Sequence, residues 1–278
     1  MSKREMFKAC LIAAFVFAVG GELCADASVP LVHYRFDGQG PGVTDEGSVQ
    51  APAVMLSADG TTADLRSPDS EGVCGAAGDR AFDNRASEGM GNQKKSDAGG
   101  VVIAESAKGL NDLVSLTICG WFRAAQPLEN GAALVSRMGV NKNGFALTSA
   151  YGSKSDLALT INDQQVRTYG QVVPVRDEWQ FVAVTYDSAA ASGHARFYLG
   201  GRDEAVRLVH TADMPASAAK GNNKPLVIGN TEDRRFCFDG LLDQIRVFGS
   251  RDPNKTAALN LEQLESIRTG DVGGTTPP

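Results

Sequence analysis

Short bursts of alternating apolar and polar residues, each closed by Asp, Gly or Asn, run through the second half of the chain. They include Trp179-Gln-Phe-Val-Ala-Val-Thr-Tyr-Asp187, His194-Ala-Arg-Phe-Tyr-Leu-Gly-Gly201, Leu226-Val-Ile-Gly-Asn230 and Phe236-Cys-Phe-Asp-Gly-Leu-Leu-Asp-Gln-Ile-Arg-Val-Phe248. A period of two is the signature of a strand, because successive side chains point to opposite faces of a sheet. The same pattern predicts strands over 31–37, 53–57, 100–104, 114–123, 133–138, 145–149, 157–162 and 165–169. It continues over 180–186, 195–199, 205–208, 226–229 and 236–248. Many short strands with Gly, Asn and Asp between them read as an all-β sandwich.

Two stretches lack the pattern. Residues 58–99 are polar and Gly-rich, and Ala81-Phe82 is placed there as a short strand. Residues 211–224 form a second loop. Near the end, Asn260 and Gln263 have the spacing of a helix capping box. Leu261, Leu264 and Ile267 then share one stripe, and Gly270 is the expected stop. The chain starts with Lys3, Arg4 and Lys8, followed by an apolar run over 9–20 and the small-x-small site Ala25-Asp26-Ala27. That is the layout of a signal peptide, too short to span a membrane. The expected division is therefore a signal peptide over 1–27, one domain over 28–270 and a disordered tail over 271–278.

The order and spacing of the strands from Leu113 on resemble the laminin-G-like, concanavalin A-like jelly-roll family of secreted bacterial proteins. The resemblance runs over roughly residues 31–268. It implies a two-sheet antiparallel jelly-roll sandwich, with the first and last strands adjacent and one short helix after the last strand. It also implies that Trp121 and Trp179 are core residues. Relatives carry Asp-Gly in the turn where this chain has Gly200-Gly201.

Composition narrows the function classes. The net charge is −6 and no basic run is present, which argues against nucleic acid and anionic membrane surfaces as partners. No second long apolar segment follows the signal, so no membrane insertion is expected after cleavage. The cysteines left after cleavage are Cys74, Cys119 and Cys237, without metal-binding or redox spacing. They read as one bridge plus a thiol, or as three buried thiols.

No catalytic residue emerges. The remaining histidines, His33, His194 and His210, belong to no nucleophile–base motif, and no strand carries the spaced carboxylates of a jelly-roll glycosidase. Strict alternation puts Asp243 on one face with Leu241, Ile245 and Val247. A buried carboxylate needs backbone N–H groups, an arginine or a cation. Asp37 and Asp45 are the candidate partners for a Ca²⁺ at the edge where the chain ends meet. Tyr151 and Tyr169 sit near turns and are the candidate rim aromatics for stacking on a sugar. The expected function is an exported, non-catalytic module for carbohydrate or another cell-surface polymer, in an adhesion or scaffold role. The alternatives are a polysaccharide hydrolase or lyase of the same fold, and a structural envelope protein without a small ligand.

Overall fold

The structure is a computed structural model that describes residues 29–85 and 99–274, apart from 129, 140, 141, 154 and 175. The expected signal peptide and the last four residues lie outside the described residues.

Among the described residues, fifteen strands form two antiparallel sheets. In chain order they are β1 (Val32–Tyr34), β2 (Gly42–Val43), β3 (Ala53–Leu56), β4 (Phe82–Asp83), β5 (Val101–Ala104), β6 (Ser115–Ala124), β7 (Ala133–Met138) and β8 (Gly144–Ser149). They continue as β9 (Leu157–Ile161), β10 (Gln164–Arg167), β11 (Arg176–Asp187), β12 (Ala195–Gly201), β13 (Arg207–Ala212), β14 (Leu226–Ile228) and β15 (Leu241–Ser250). One sheet runs β1-β15-β6-β11-β12-β13, with β4 also on β15; the other runs β10-β9-β8-β7-β14-β5-β3-β2. The first and last strands are adjacent as expected, with His33 opposite Arg246.

The alternation explains the layering. On β6, Leu116, Ile118 and Phe122 face the other sheet, where Val135, Phe145, Leu147 and Leu159 meet them. Cys119 and Trp121 face outward into a second cluster with Trp179, Phe181, Leu241 and Phe248. That outer face is covered by residues 257–259 and by helix α1 (Leu261–Val272). The Thr117 hydroxyl fastens the cover, donating to the Ala257 carbonyl at 2.6 Å and accepting from the Leu259 N–H at 2.9 Å. Both tryptophans are buried, and Trp121 is fully so.

The helix begins as expected: Asn260 and Gln263 form a reciprocal capping box. Two details differ. Leu261 is 45% exposed and does not join the buried stripe, which is made by Leu264, Ile267, Arg268 and Asp271. Gly270 lies inside the helix, and Gly273 caps it. The expected tail boundary at 271 therefore cuts through an ordered element, because Asp271 has a partner in the sheet. Arg246 on β15 donates from both Nη atoms to the Asp271 carboxylate at 2.6 and 2.9 Å, and Trp121 Nε1 adds a third bond at 2.9 Å.

Strand boundaries shift most at Phe236, expected to begin the last strand and found in the preceding loop, and at the strand read over 205–208, which runs Arg207–Ala212. All three described cysteines are free of disulfides, with Cys119 and Cys237 buried. Desolvation pushes the Cys119 thiol up to about 12.

Replacing Trp121 or Leu264 by Ala removes side chains from the outer cluster. The expected losses are about 3–5 kcal/mol for Trp121 and about 2–5 kcal/mol for Leu264. Leu261→Ala should stay within about 0.5 kcal/mol, as for an exposed position. Urea unfolding of the three variants checks the order.

Candidate functional site

Loops gather at the end of the sandwich where β8 and β10 finish. Two of them present the tyrosines singled out by the sequence: Tyr151 is 51% exposed and Tyr169 is 64% exposed. The structure joins them through Arg167, the last residue of β10. Its Nη1 donates to the Tyr151 carbonyl at 2.8 Å, and its guanidinium carbon lies 4.9 Å from the Tyr169 ring centroid. Phe236 extends the row, with its ring 6.1 Å from that of Tyr151 in an edge-on arrangement. Arg235 stands over Phe236 at 6.0 Å. Rings and guanidinium groups therefore alternate along one rim.

The loops beneath are pinned by buried polar side chains. Asp156 Oδ1 accepts from the Thr168 hydroxyl at 3.0 Å and from the Gln171 and Val172 N–H groups at 3.1 and 3.4 Å, while Oδ2 accepts from Ser153 at 2.6 Å. One carboxylate thus ties both tyrosine loops together. Asn230 does the same for Phe236: its Oδ1 accepts from the Phe236 N–H at 3.1 Å. Gly131 is required where the two rings converge. Its φ is +73°, and a Cβ there would lie 2.8 Å from the Tyr151 ring and 3.2 Å from that of Phe236. Sequence reasoning missed Arg167, Phe236 and Asp156. The signal for Arg167 was present in Arg167-Thr-Tyr169, an arginine and an aromatic two residues apart where β10 gives way to its loop.

Two concavities lie elsewhere. A groove of about 490 Å³ over β7 and β14 is lined by Ser136, Met138, Lys224, Val227, Thr231 and Glu232. A cleft of about 120 Å³ holds two carboxylates, Asp177 and Asp239, with Arg85 and Arg123. Arg123 Nε donates to Asp177 at 2.7 Å, and this bond holds the Asp177 carboxyl below its ordinary range. A carboxylate fixed in the ionised form is ill suited to act as a general acid.

The three candidate metal ligands each take other partners. Asp45 accepts from the N–H groups of His33, Gly47 and Ala51 at 2.7–2.8 Å, and its carboxylate braces the turn after β1. Asp37 pairs with Arg35 at 3.0 Å. Asp243 is fully buried, with Oδ2 accepting from Val73 N–H at 3.0 Å and Oδ1 from Gln244 N–H at 2.7 Å. Asp37 and Asp79 act on Asp243 as like charges. Among the described residues, no group of three or more His, Cys, Asp or Glu side chains is placed to hold a metal ion.

The face assigned to Asp243 also needs correction. β15 carries a bulge between Asp243 and Arg246, with Gln244 at φ +52°. The extra residue shifts the alternation. Leu242, Ile245 and Val247 therefore point into the inter-sheet core, while Asp243 lies opposite Trp121 and shares the outer face with Arg246.

Burial, and then the charges of Asp79 and Asp37, push the Asp243 carboxyl well above the usual carboxylate range. The folded state then holds this proton more tightly than the unfolded chain does. The contribution is full below about pH 3.9 and is lost as pH rises through the folded value. In chelator, raising the pH from about 4 should therefore erode the stability of wild type relative to Asp243→Asn. Parallel stability–pH curves for the two proteins would refute this assignment.

Asp156→Ala removes the tie between the tyrosine loops. The expected result is faster amide exchange over residues 150–153 and 168–172, with the strands of the other sheet unchanged, read by hydrogen exchange.

Similar folds occur in solved structures. One is domain 4 of AbnA, a GH43 extracellular arabinanase from Geobacillus stearothermophilus, in complex with arabinotriose. It matches with a TM-score of 0.57 and 14% identity, over 86% of this chain and 98% of that one. Another is the botulinum neurotoxin serotype G binding domain, with a TM-score of 0.53 and 13% identity, over 86% of this chain and 50% of that one. A third is the binding domain of botulinum neurotoxin DC in complex with SialylT, with a TM-score of 0.53 and 11% identity, over 87% and 51%. This chain spans about half the length of those toxin domains, and at such identities the likeness concerns the fold. No curated protein matches the chain in sequence. A family model does match, over residues 96–251. That match covers more than half of the chain and agrees with the observed sandwich, so the chain belongs to the Laminin_G_3 family of the concanavalin A-like lectin/glucanases superfamily.

Proposed function

We propose that this chain is an exported, non-catalytic module that binds carbohydrate through the rim of Tyr151, Arg167, Tyr169 and Phe236. One observation carries the reading. Two tyrosines are more than half exposed, yet their loops are fastened from beneath by one buried carboxylate. Exposed rings on pinned loops form a preorganised stacking platform for the apolar face of a pyranose, with little ordering left to do on binding. The arabinotriose complex of the AbnA domain and the SialylT complex of the toxin domain support the class of ligand. Export is supported by the expected signal peptide. Among the described residues, no helix is long and apolar enough to cross a membrane, which says nothing of β-barrels.

Purified protein on a glycan array should retain one or a few glycans. Tyr151→Ala and Tyr169→Ala should each weaken binding about tenfold or more, with melting temperatures within a few degrees of wild type. Undiminished binding by both variants would move the site elsewhere, the groove over β7 and β14 first.

The competing reading is a hydrolase using Asp177 and Asp239, the two carboxylates that share a cleft. The Arg123–Asp177 pair argues against it. Release of reducing ends from a polysaccharide, lost in Asp177→Asn, would establish it.

Calcium enters the same proposal at the corner of Asp37 and Asp243, where the two carboxylates act on each other as like charges and Asp45 takes no part. A cation there would relieve the crowding of like charges, and carboxylate oxygens suit Ca²⁺. An ion held by the folded form alone raises stability by mass action. Chelator should then lower the melting temperature and calcium restore it, a response absent from Asp243→Asn. Indifference of wild type to both reagents would end the calcium reading.

A further inference from the structure

The pairing of arginines is uneven across the molecule. Arg66 pairs with Asp64, Arg85 with Asp83, Arg123 with Asp177, Arg176 with Glu204, Arg246 with Asp271 and Arg268 with Glu265. Others, Arg137, Arg234 and Arg251 among them, bond backbone carbonyls instead. The two rim arginines differ from both groups in lying over aromatic rings. Among the described residues, the head group of Arg167 bonds a backbone carbonyl and a ring face, and that of Arg235 meets a ring face. Neither has a carboxylate within ion-pair distance. Acids of the neighbouring loops are engaged elsewhere: Asp156 holds the loop hydrogen bonds, Glu232 pairs with Lys224, and Asp233 accepts from the Thr231 hydroxyl.

A guanidinium laid over a ring is held in orientation by cation–π attraction and by stacking, and its free edge keeps several N–H donors in a plane. Such a fork matches two oxygens of one anionic group. We infer, resting on the carbohydrate reading above, that the rim selects acidic glycans: sugars carrying a carboxylate or a sulfate ester, whose ring stacks on Tyr151, Tyr169 or Phe236 while the anion meets Arg167 or Arg235. No bond is made or broken in this recognition. The chain's net charge of −6 disfavours anions in general, so selectivity comes from the two guanidinium forks and the rings beside them.

The test uses matched probes on the full chain: oligogalacturonate against its methyl ester, a sulfated oligosaccharide against its desulfated form, and arabinotriose as a neutral control. Calorimetric titration should give at least tenfold tighter binding to an acidic member than to its neutralised partner. That preference should weaken as salt rises from about 0.05 to 0.5 M, where charges are screened over a few ångströms. Arg167→Gln and Arg235→Gln should each cut affinity for the acidic probe about tenfold and narrow the preference, with melting temperature as the check on folding. Arg167→Lys keeps the charge and loses the fork, and should recover only part of the affinity. Whether the carboxylated or the sulfated pair responds names the anion. Equal binding of acidic and neutral probes, independent of salt and of both arginines, would overturn this inference and leave the carbohydrate reading standing. Absence of binding to every probe, with an empty glycan array, would remove both.

Discussion

A sheet that is apolar on both faces has to be covered twice, and the seven-stranded sheet of this protein is such a sheet. Its inner face meets the other sheet across a core built by Ile118, Phe122, Val182, Val184, Ile245 and Val247. Its outer face carries Trp121, Trp179, Phe181 and Phe248, which water would otherwise reach. The segment from Ala257 through α1 supplies the second cover. It is fixed at one end by the Thr117 hydroxyl and at the other by the Arg246–Asp271 pair. That pair is almost fully buried. A buried pair is favourable only when its remaining donors and acceptors are met. Here Trp121 Nε1 and the carbonyl and side chain of Gln244 meet them. His33 joins through Gln244 at 2.9 Å, and burial holds its imidazole down at about 3, so it stays neutral beside Arg246.

The bulge at Asp243 and Gln244 makes this arrangement possible. A regular strand would alternate Asp243, Ile245 and Val247 on one face. One inserted residue lets Leu242, Ile245 and Val247 all reach the inner core, while Asp243, Gln244 and Arg246 gather outside. The carboxylate of Asp243 then braces both the bulge and the loop at Val73. Burial and polar bonding are thus arranged by the same distortion. The rim follows the opposite logic. It keeps its rings exposed and hides the groups that position them. Asp156 and Asn230 are buried, and the tyrosines and Arg235 are not. Rigidity beneath and exposure above suit the binding surface proposed for this rim, because the ordering entropy is met during folding.

Alternation and spacing determined most of the strand inventory, the all-β class and the capping box at Asn260, and with the family resemblance the burial of both tryptophans. Each of these depends on residues close in sequence, where a period of two or a spacing of three fixes which face a side chain takes. The rim tyrosines were legible for a similar reason: an aromatic residue next to a turn has few neighbours to cover it. Tertiary structure decided what depends on distant partners. Phe236 looks like the start of a strand, yet Asn230 and Gly131 place it in a loop beside Tyr151. Gly270 looks like a helix stop, yet Asp271 is carried one turn onward by Arg246, 25 residues away in the chain. The backbone partners of Asp45 and Asp243 are equally hidden from the sequence: His33 and Ala51 donate to the first, and Val73, 170 residues away, to the second. The phase of a strand can be read from its residues only while its register is unbroken, and the bulge in β15 is set by the strands on either side of it.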